Sequence, residues 1–274
     1  MNVAYHLQNL GAPASMISQV GKDPFGDELL GFLQKHGIET EFIATDQKLP
    51  TGTVHVQLDK KGIPSYEIAS PVAWDNIQSE NEKLDSVKEA DALVFGSLAC
   101  RSEQSKRTLL ELAKVAPFRV FDVNLRAPFY SKPIIETLLP VTDVLKLNDD
   151  ELNIIAGWYL SGFTEESAMK FLMENFGLET VIVTKGREGA VCLKDGKFYR
   201  HPGFSVKVTD TVGSGDAFLA ALLKKMFDWE GMPLSLEFAC AMGALVATHK
   251  GGTPRITEEM VLHFMQGQKT STSV

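Results

Sequence analysis

Cysteine and positive charge are both scarce in this sequence of 274 residues. Cys100, Cys192 and Cys240 are widely spaced, without the C-x-x-C pairing of zinc or redox sites. The 27 lysines and arginines form no basic run and face 35 aspartates and glutamates, which gives a net charge of -8. The pattern predicts reduced thiols in a cytoplasmic protein and argues against a nucleic-acid-binding surface.

Long apolar runs and two common phosphate-binding motifs are also missing. No apolar stretch reaches the roughly 18 residues of a membrane-spanning helix, so we expect no membrane partner. No G-x-x-x-x-G-K-S/T motif occurs, and Phe218 stands where a dinucleotide-binding G-x-G-x-x-G needs its last small residue. The six histidines are scattered, which argues against a structural zinc site. A bound nucleotide would therefore need a different kind of loop.

One glycine-bearing segment does predict an anion site. Residues 210–216 read DTVGSGD and lead into the apolar stretch 217–223, which is typical of a turn that opens a helix. Free backbone N–H groups and the positive end of the helix dipole can hold a phosphate there. Asp216 lies at the same helix start and could accept the proton of an attacking hydroxyl. The combination suits phosphoryl transfer to an alcohol, although an ordinary capped helix N-terminus is the simpler alternative.

Strand-like and helical segments alternate along the chain, which predicts a doubly wound, mainly parallel α/β sheet flanked by helices. We expect strands at 92–95, 120–123, 144–147 and 181–183, with helices around 109–115, 134–139 and 168–176. The segment 53–68 differs, because apolar and polar residues alternate on either side of a turn at Lys60-Lys61-Gly62. It predicts an amphipathic β-hairpin, for which an ordinary surface hairpin is the alternative.

Polar residues follow two of the predicted strands, where open α/β sheets place their ligand crevice. Asp122, Asn124 and Arg126 follow one strand, and the Arg126 guanidinium could neutralise phosphate charge. Polar residues at a strand end often form only a turn. Asn148 and Glu151 follow the next strand with the spacing of a capping box, in which each side chain accepts a hydrogen bond from the other residue's backbone.

Several motifs together resemble the ribokinase-like PfkB family of carbohydrate kinases over essentially the whole chain. The segment 210–218 resembles the family's C-terminal signature, and four others agree in order and spacing: VGKDPFG at 20–26, DVNLR at 122–126, KLNDDE at 146–151 and VTKG at 183–186 with Gly189. The amino-acid patterns at 2–7 and 122–126 are most similar to those of bacterial fructokinases. The resemblance implies one ribokinase-like domain over 1–274, a small β lid at 50–72 and an ATP-dependent sugar kinase. It also allows a homodimer formed through the lid.

The resemblance further implies which residues carry the chemistry. Asp216 would act as the general base toward the sugar hydroxyl. The N–H groups of Gly213, Ser214 and Gly215 would hold the phosphoryl group in transfer, and Arg126 would neutralise its charge. The sugar-side positions of the family correspond to Asn2, Gly96, Ser97, Leu98, Asp122, Asn124 and Asp216.

Positions for ATP, Mg²⁺ and K⁺ follow from the same resemblance. Asn148 and Glu151 would control Mg²⁺ through water, which is compatible with the capping box. The nucleotide positions correspond to Asn148, Thr184, Gly186, Gly189, Cys240 and Gly243. The monovalent-cation positions correspond to Asp210, Val212, Ala247, Lys250 and Gly252. From the residues alone, 185–189 also fits an ordinary hairpin turn, and the small residues at 240–244 fit close helix packing.

One departure from the family concerns the start of the chain. The family opens with a strand that carries a sugar-binding aspartate, whereas Met1-Asn2-Val3-Ala4 already falls inside the signature that comes later. We therefore expect on the order of 30 residues of strand structure to be missing and the hold on the sugar to be weakened. The acceptor stays open between fructose, 2-keto-3-deoxygluconate, ribose and a nucleoside. A truncated remnant that binds nucleotide without catalysis is the alternative from another class.

Overall fold

Strands and helices alternate in the computed structural model, which describes residues 1–58 and 64–271. The strands are β1 (Ser18–Gly21), β2 (Ile43–Asp46), β3 (Val54–Leu58), β4 (Pro64–Ile68), β5 (Leu93–Gly96), β6 (Arg119–Asp122), β7 (Val144–Asn148), β8 (Thr180–Thr184), β9 (Ala190–Lys194) and β10 (Lys197–His201). The helices are α1 (Asn2–Asn9), α2 (Pro24–Lys35), α3 (Asn81–Glu89), α4 (Glu103–Val115), α5 (Lys132–Leu138), α6 (Asp149–Ala156), α7 (Glu165–Phe176), α8 (Ser214–Phe227), α9 (Met232–Ala247) and α10 (Glu258–Ser271).

The main sheet has the strand order β10-β9-β8-β7-β6-β5. Strands β5 to β8 pair in parallel, and the antiparallel strands β9 and β10 extend one edge. The four predicted strands are confirmed as β5 to β8, with ends shifted by no more than one residue. The carboxyl ends of these parallel strands share one edge of the sheet, which is where the predicted polar residues lie.

Helices cover both faces of this sheet, as the apolar strands predict. Val120, Val144 and Ile182 pack against α8 and α9 on one face, whereas their neighbours Phe121 and Leu145 pack against α5 to α7 on the other. Burial of one such side chain contributes about 1.5–3 kcal/mol, so both faces stabilise the sheet. No helix within residues 1–58 and 64–271 has the length and apolar character needed to cross a bilayer.

Two small sheets stand apart from the main one. Strands β1 and β2 pair in parallel, and β3 and β4 form the predicted antiparallel hairpin, in which Val54 faces Ile68. The predicted turn at Lys60-Lys61-Gly62 lies outside the described residues. The strand expected upstream of Met1, the lid function of 50–72 and a dimer through it stay predictions.

Candidate active site

Helix α8 begins at the predicted anion loop. Gly213 is its N-cap, with a φ of +77° that favours glycine. A Cβ on Gly213 would also lie 2.6 Å from the Cα of Gly252, so a side chain has no room there. Gly215 and Asp216 lie in the first turn, where backbone N–H groups have no intrahelical partner and can face an anion.

Ser214 contributes differently from the prediction. Its backbone N–H donates to the Thr211 carbonyl at 3.2 Å and is therefore already engaged. Its hydroxyl is buried and has no hydrogen-bond partner among the described residues. An unpartnered buried hydroxyl costs free energy, which a ligand oxygen at this loop would recover. The side chain of Ser214, rather than its amide, is the better candidate for a phosphate contact.

Asn2 reaches the candidate base from the other end of the chain. Its Nδ2 donates to Oδ2 of Asp216 at 2.8 Å, which joins α1 to the start of α8. The structure thus places Asn2, which the resemblance assigns to the sugar side, in contact with the candidate base. Oδ1 of Asp216 has no partner within the part of the chain that the structure describes, so one carboxylate oxygen can accept a further proton donor.

His6 makes a second contact from α1, which no motif of the sequence predicts. Its Nε2 donates to the Gly252 carbonyl at 2.9 Å, and the ring is fully buried. Burial lowers the His6 pKa, although the Gly252 bond and the nearby Asp216 charge oppose this. A neutral His6 with its proton on Nε2 therefore holds the segment that packs against Gly213.

The segments predicted to hold a monovalent cation do lie together. The backbone N–H groups of Val212 and Gly251 donate to the two carboxylate oxygens of Asp210, and these bonds lower the Asp210 pKa. The Ala247 carbonyl already accepts bonds from Thr209 and Asp210, which occupy both its lone pairs. The backbone around 210–212 and 250–252 therefore fits a cation better than Ala247 does.

Asp122 at the end of β6 is buried against a lysine. Lys146, on β7, donates from Nζ to Oδ1 of Asp122 at 2.8 Å, and both residues are buried. Burial raises the Asp122 pKa, while the Lys146 charge opposes that shift. The sequence analysis did not select Lys146. The available signal was a lysine inside an otherwise apolar predicted strand, which requires a buried partner.

The capping box at the start of α6 is present. Glu151 accepts from the backbone N–H of Asn148 at 2.9 Å, and the Asn148 side chain accepts from that of Glu151 at 2.8 Å. The other oxygen of Glu151 accepts from the backbone N–H of Leu125 at 2.8 Å. The buried carboxylate therefore also fixes the loop after β6, which carries Asn124 and Arg126.

The remaining sugar-side residues support this edge of the sheet. Ser97 is buried and its hydroxyl donates to the Val123 carbonyl, and a Cβ on Gly96 would lie 3.2 Å from the Asp122 carbonyl oxygen. Both residues therefore hold β5 close to β6, and Leu98 follows them in a short 3₁₀ turn.

Asn124 has a φ of +44°, while Arg126 is exposed and forms no ion pair with any described residue.

The candidate nucleotide residues fall into two groups. Thr184 ends β8, and Gly186 and Gly189 form the turn to β9, as the hairpin alternative predicted. Cys240 and Gly243 lie on α9, where a Cβ on Gly243 would come within 3.3 Å of the Ser214 carbonyl oxygen. Gly243 therefore lets α9 approach the start of α8, as the helix-packing alternative predicts. Burial raises the pKa of Cys240 to about 12, which leaves an unreactive thiol.

A cavity of about 590 Å³ lies between the β3–β4 hairpin and the loop after β6. Its lining comes from His55 and residues 67–70 on one side and residues 127–129 on the other. The volume falls within the roughly 300–1,000 Å³ of small-molecule sites. Among the described lining residues, the ionisable side chains are His55 and Glu67. Within residues 1–58 and 64–271, the lining therefore offers no lysine or arginine.

The family model for pfkB carbohydrate kinases matches residues 1–259. This chain belongs to the PfkB family of carbohydrate kinases. Its fold is therefore ribokinase-like and its activity is that of a sugar kinase, as the resemblance predicted. Among curated relatives, fructokinase-2 of Solanum lycopersicum is 30% identical, over 97% of this chain and 85% of the relative. The 2-dehydro-3-deoxygalactonokinase of Haloferax volcanii is 27% identical, over 97% of this chain and 86% of the relative.

Solved structures of PfkB kinases match the whole fold. Fructokinase from Vibrio cholerae O395, solved with fructose, ADP and calcium, has a TM-score of 0.82 at 24% identity, over 96% of this chain and 89% of that one. An uncharacterized sugar kinase from Pyrococcus horikoshii, solved with ATP, has a TM-score of 0.76 at 29% identity, over 92% of this chain and 82% of that one. The first match supports the fold alone.

For this PfkB kinase, the capping box makes Glu151→Gln an informative variant. Glutamine offers one oxygen, so its NH₂ group must face one of the two backbone N–H donors, and one buried bond is lost. We expect the free energy of unfolding to fall by about 1–3 kcal/mol, measured by urea denaturation without Mg²⁺. A parallel Mg²⁺ titration of activity tests the water-mediated role, which predicts a higher half-saturating concentration.

Asp150→Asn is the matched control, because it removes the same charge from the same helical turn at an exposed position. Both variants lose the favourable interaction of a carboxylate with the helix N-terminus, which is about 0.3–1 kcal/mol. The difference between them is the one buried hydrogen bond that glutamine at position 151 cannot keep. Equal stabilities of the two variants would contradict the structural role assigned to Glu151.

Proposed function

We propose that this sugar kinase transfers the γ-phosphoryl group of ATP to a hydroxyl of fructose, with Asp216 as the general base. The observation that carries the proposal is the site at the start of α8, where Asn2 orients Asp216 beside amides that have no intrahelical partner. Fructokinases also stand among the curated relatives that match nearly the whole chain. These relatives thus support fructose as the acceptor, whereas the residues at the start of α8 support the chemistry.

The reaction needs little beyond positioning and charge stabilisation. The free Oδ1 of Asp216 accepts the proton of the sugar hydroxyl as its oxygen forms the new bond to phosphorus. The bond between phosphorus and the bridging oxygen breaks, and that oxygen leaves with ADP. Backbone N–H groups of Gly215 and Asp216, together with the Ser214 hydroxyl, are placed to hold the oxygens of the phosphoryl group.

Metal ions are assigned to this site by the chemistry of its donors. Mg²⁺ neutralises phosphate charge when bound, and Asn148 and Glu151 at the start of α6 offer oxygens that could reach it through water. The side-chain oxygen of Asn148 and both oxygens of Glu151 each accept one backbone N–H and keep a second lone pair for such a water. For K⁺, the donors that fit are Asp210 and the carbonyls of Val212, Lys250 and Gly252, which the Asp210–Gly251 bond brings together.

We assign the acceptor to the cavity beside the β3–β4 hairpin, because residues 127–129 of its lining belong to the same loop as the candidate sugar-side residue Asn124. The described lining favours a neutral sugar there. A sugar acid such as 2-keto-3-deoxygluconate brings a carboxylate that needs a paired cation once buried. The ionisable groups on the described lining are His55 and Glu67, and Glu67 would repel such a ligand. The competing acceptor is a 2-keto-3-deoxy sugar acid, which the Haloferax relative supports and which exposed Arg126 could bind.

A coupled assay of ADP release across fructose, ribose, 2-keto-3-deoxygluconate and adenosine separates these acceptors. We expect fructose to give the highest kcat/KM, because it can enter the cavity without burying charge. A preference for the sugar acid, lost in Arg126→Gln, would assign the alternative acceptor. ATP binding by calorimetry without turnover of any acceptor would favour the nucleotide-binding remnant. The same assay on a chain extended upstream tests whether sugar affinity is weakened.

A further inference from the structure

The Lys146 ammonium lies between two parts of the candidate site. Its Nζ donates to Asp122 at 2.8 Å, and only 7% of the residue is exposed. The same Nζ lies 3.3 Å from the point that a Cβ would occupy on Gly215. Gly215 directly precedes Asp216 in the first turn of α8. A buried positive charge therefore stands next to the loop that we assign to the phosphoryl group.

A side chain at position 215 is restricted by contact with this lysine and not by the backbone conformation of Gly215. Gly213 has a positive φ, whereas Gly215 does not, so any residue could adopt the backbone conformation found there. Nothing else outside the helix backbone comes within 4 Å of the missing Cβ. A methyl group at 215 would lie 3.3 Å from the ammonium, a tight contact that requires Lys146 to shift by a few tenths of an ångström. The absence of a side chain at Gly215, in the first turn of α8, thus lets Lys146 approach the loop.

The charge of Lys146 is only partly satisfied in this position. An ammonium has three N–H donors, and Asp122 takes one of them. The part of the chain that the structure describes offers Nζ no second acceptor. The positive end of the α8 dipole lies alongside, where a cation is disfavoured unless an anion accompanies it. An oxygen of a phosphoryl group at this loop would supply both the missing acceptor and the missing negative charge.

We propose that Lys146 is a further catalytic residue, whose ammonium binds an oxygen of the phosphoryl group during its transfer while Asp122 holds the ammonium in place. This rests on the proposed position of the phosphoryl group at the start of α8. The lysine provides a fixed positive charge where negative charge spreads over the oxygens in the transition state. Asp122 is then a positioning residue for Lys146, in addition to its candidate place on the sugar side.

The test removes the ammonium without leaving a buried charge behind. Lys146→Met alone would leave Asp122 unpaired, which is itself destabilising. The double variant Asp122→Asn/Lys146→Met replaces the ion pair by neutral side chains of similar size, and Asp122→Asn is its matched control. We expect kcat at saturating sugar to fall about 10²- to 10³-fold in the double variant relative to Asp122→Asn. A kcat of the double variant equal to that of the wild-type protein would overturn the proposal, since Lys146 would then only neutralise Asp122.

A binding measurement keeps the proposal testable whatever the acceptor is. Calorimetry compares Mg-ADP with a non-hydrolysable Mg-ATP analogue, so the difference reports the contacts of the γ-phosphate. We expect the analogue to bind more tightly than ADP to Asp122→Asn and this preference to shrink in the double variant. An unchanged preference, together with an unchanged kcat, would remove Lys146 from the site. Failure of the wild-type protein to phosphorylate fructose would instead refute the acceptor and leave this comparison intact.

Discussion

Asp216→Asn is expected to lower kcat by about 10²- to 10⁴-fold, because the side-chain amide cannot take the proton of the attacking hydroxyl. Asparagine has nearly the shape of aspartate, and its carbonyl oxygen can still accept the hydrogen bond from Asn2. We therefore expect the fold and the affinity for Mg-ATP to persist. Steady-state kinetics with the best acceptor and calorimetric titration with nucleotide measure the two quantities separately.

Asp228→Asn serves as the control for that experiment. Asp228 ends the same helix, where it forms an ion pair with Lys224 four residues earlier. Such a surface pair contributes only about 0.3–0.5 kcal/mol, so kcat should equal that of the wild-type protein. If Asp216→Asn raised KM and left kcat unchanged, another group would have to be the base.

Gly213→Ala is expected to be the most damaging single methyl group in the loop. A left-handed φ costs a non-glycine residue about 1–2 kcal/mol. The new Cβ would also lie 2.6 Å from the Cα and 2.7 Å from the carbonyl oxygen of Gly252, so the two backbones must separate. Overpacking of this kind costs about 1–3 kcal/mol more, which makes a total of about 2–5 kcal/mol in the free energy of unfolding. We also expect kcat to fall, because the loop carries Asp216.

Gly162→Ala measures how much of that loss in stability comes from the left-handed backbone alone. Gly162 has a φ of +65°, and a Cβ there meets nothing within 4 Å. Urea denaturation of both variants should show a loss of about 1–2 kcal/mol for Gly162→Ala and a clearly larger loss for Gly213→Ala. Similar losses would mean that the approach of Gly252 does not constrain the loop.

The sequence predicts best those features that depend on near neighbours. The apolar strands, the hairpin and the capping box of Asn148 and Glu151 all arise from spacings of a few residues, and the structure contains each of them. The helix start at 213–214 belongs to the same class, since a glycine before an apolar run marks it directly. Local patterns therefore gave the fold and the position of the anion loop.

The contacts that complete the site were not predictable in this way. His6 and Lys146 bond to partners 246 and 24 residues away, and neither stands in a spacing that points to its partner. The second bond of Glu151, to Leu125, reaches between two strand ends for the same reason. The Ser214 amide and the Ala247 carbonyl were assigned from resemblance, whereas their availability depends on bonds that only coordinates reveal.

The bonds from α1 to Asp216 and Gly252 have a consequence for biosynthesis. They span 214 and 246 residues, so the contacts to the base and to the backbone behind it form only when α1 and the segment around Gly252 are both present. During translation the nucleotide-side residues 184–189 leave the ribosome well before Gly252. A nascent chain can therefore fold much of its main sheet while it still lacks an oriented carboxylate. The segment around Gly252, which packs against Gly213 at the start of α8, thus joins the site only after the strands of the main sheet have been synthesised.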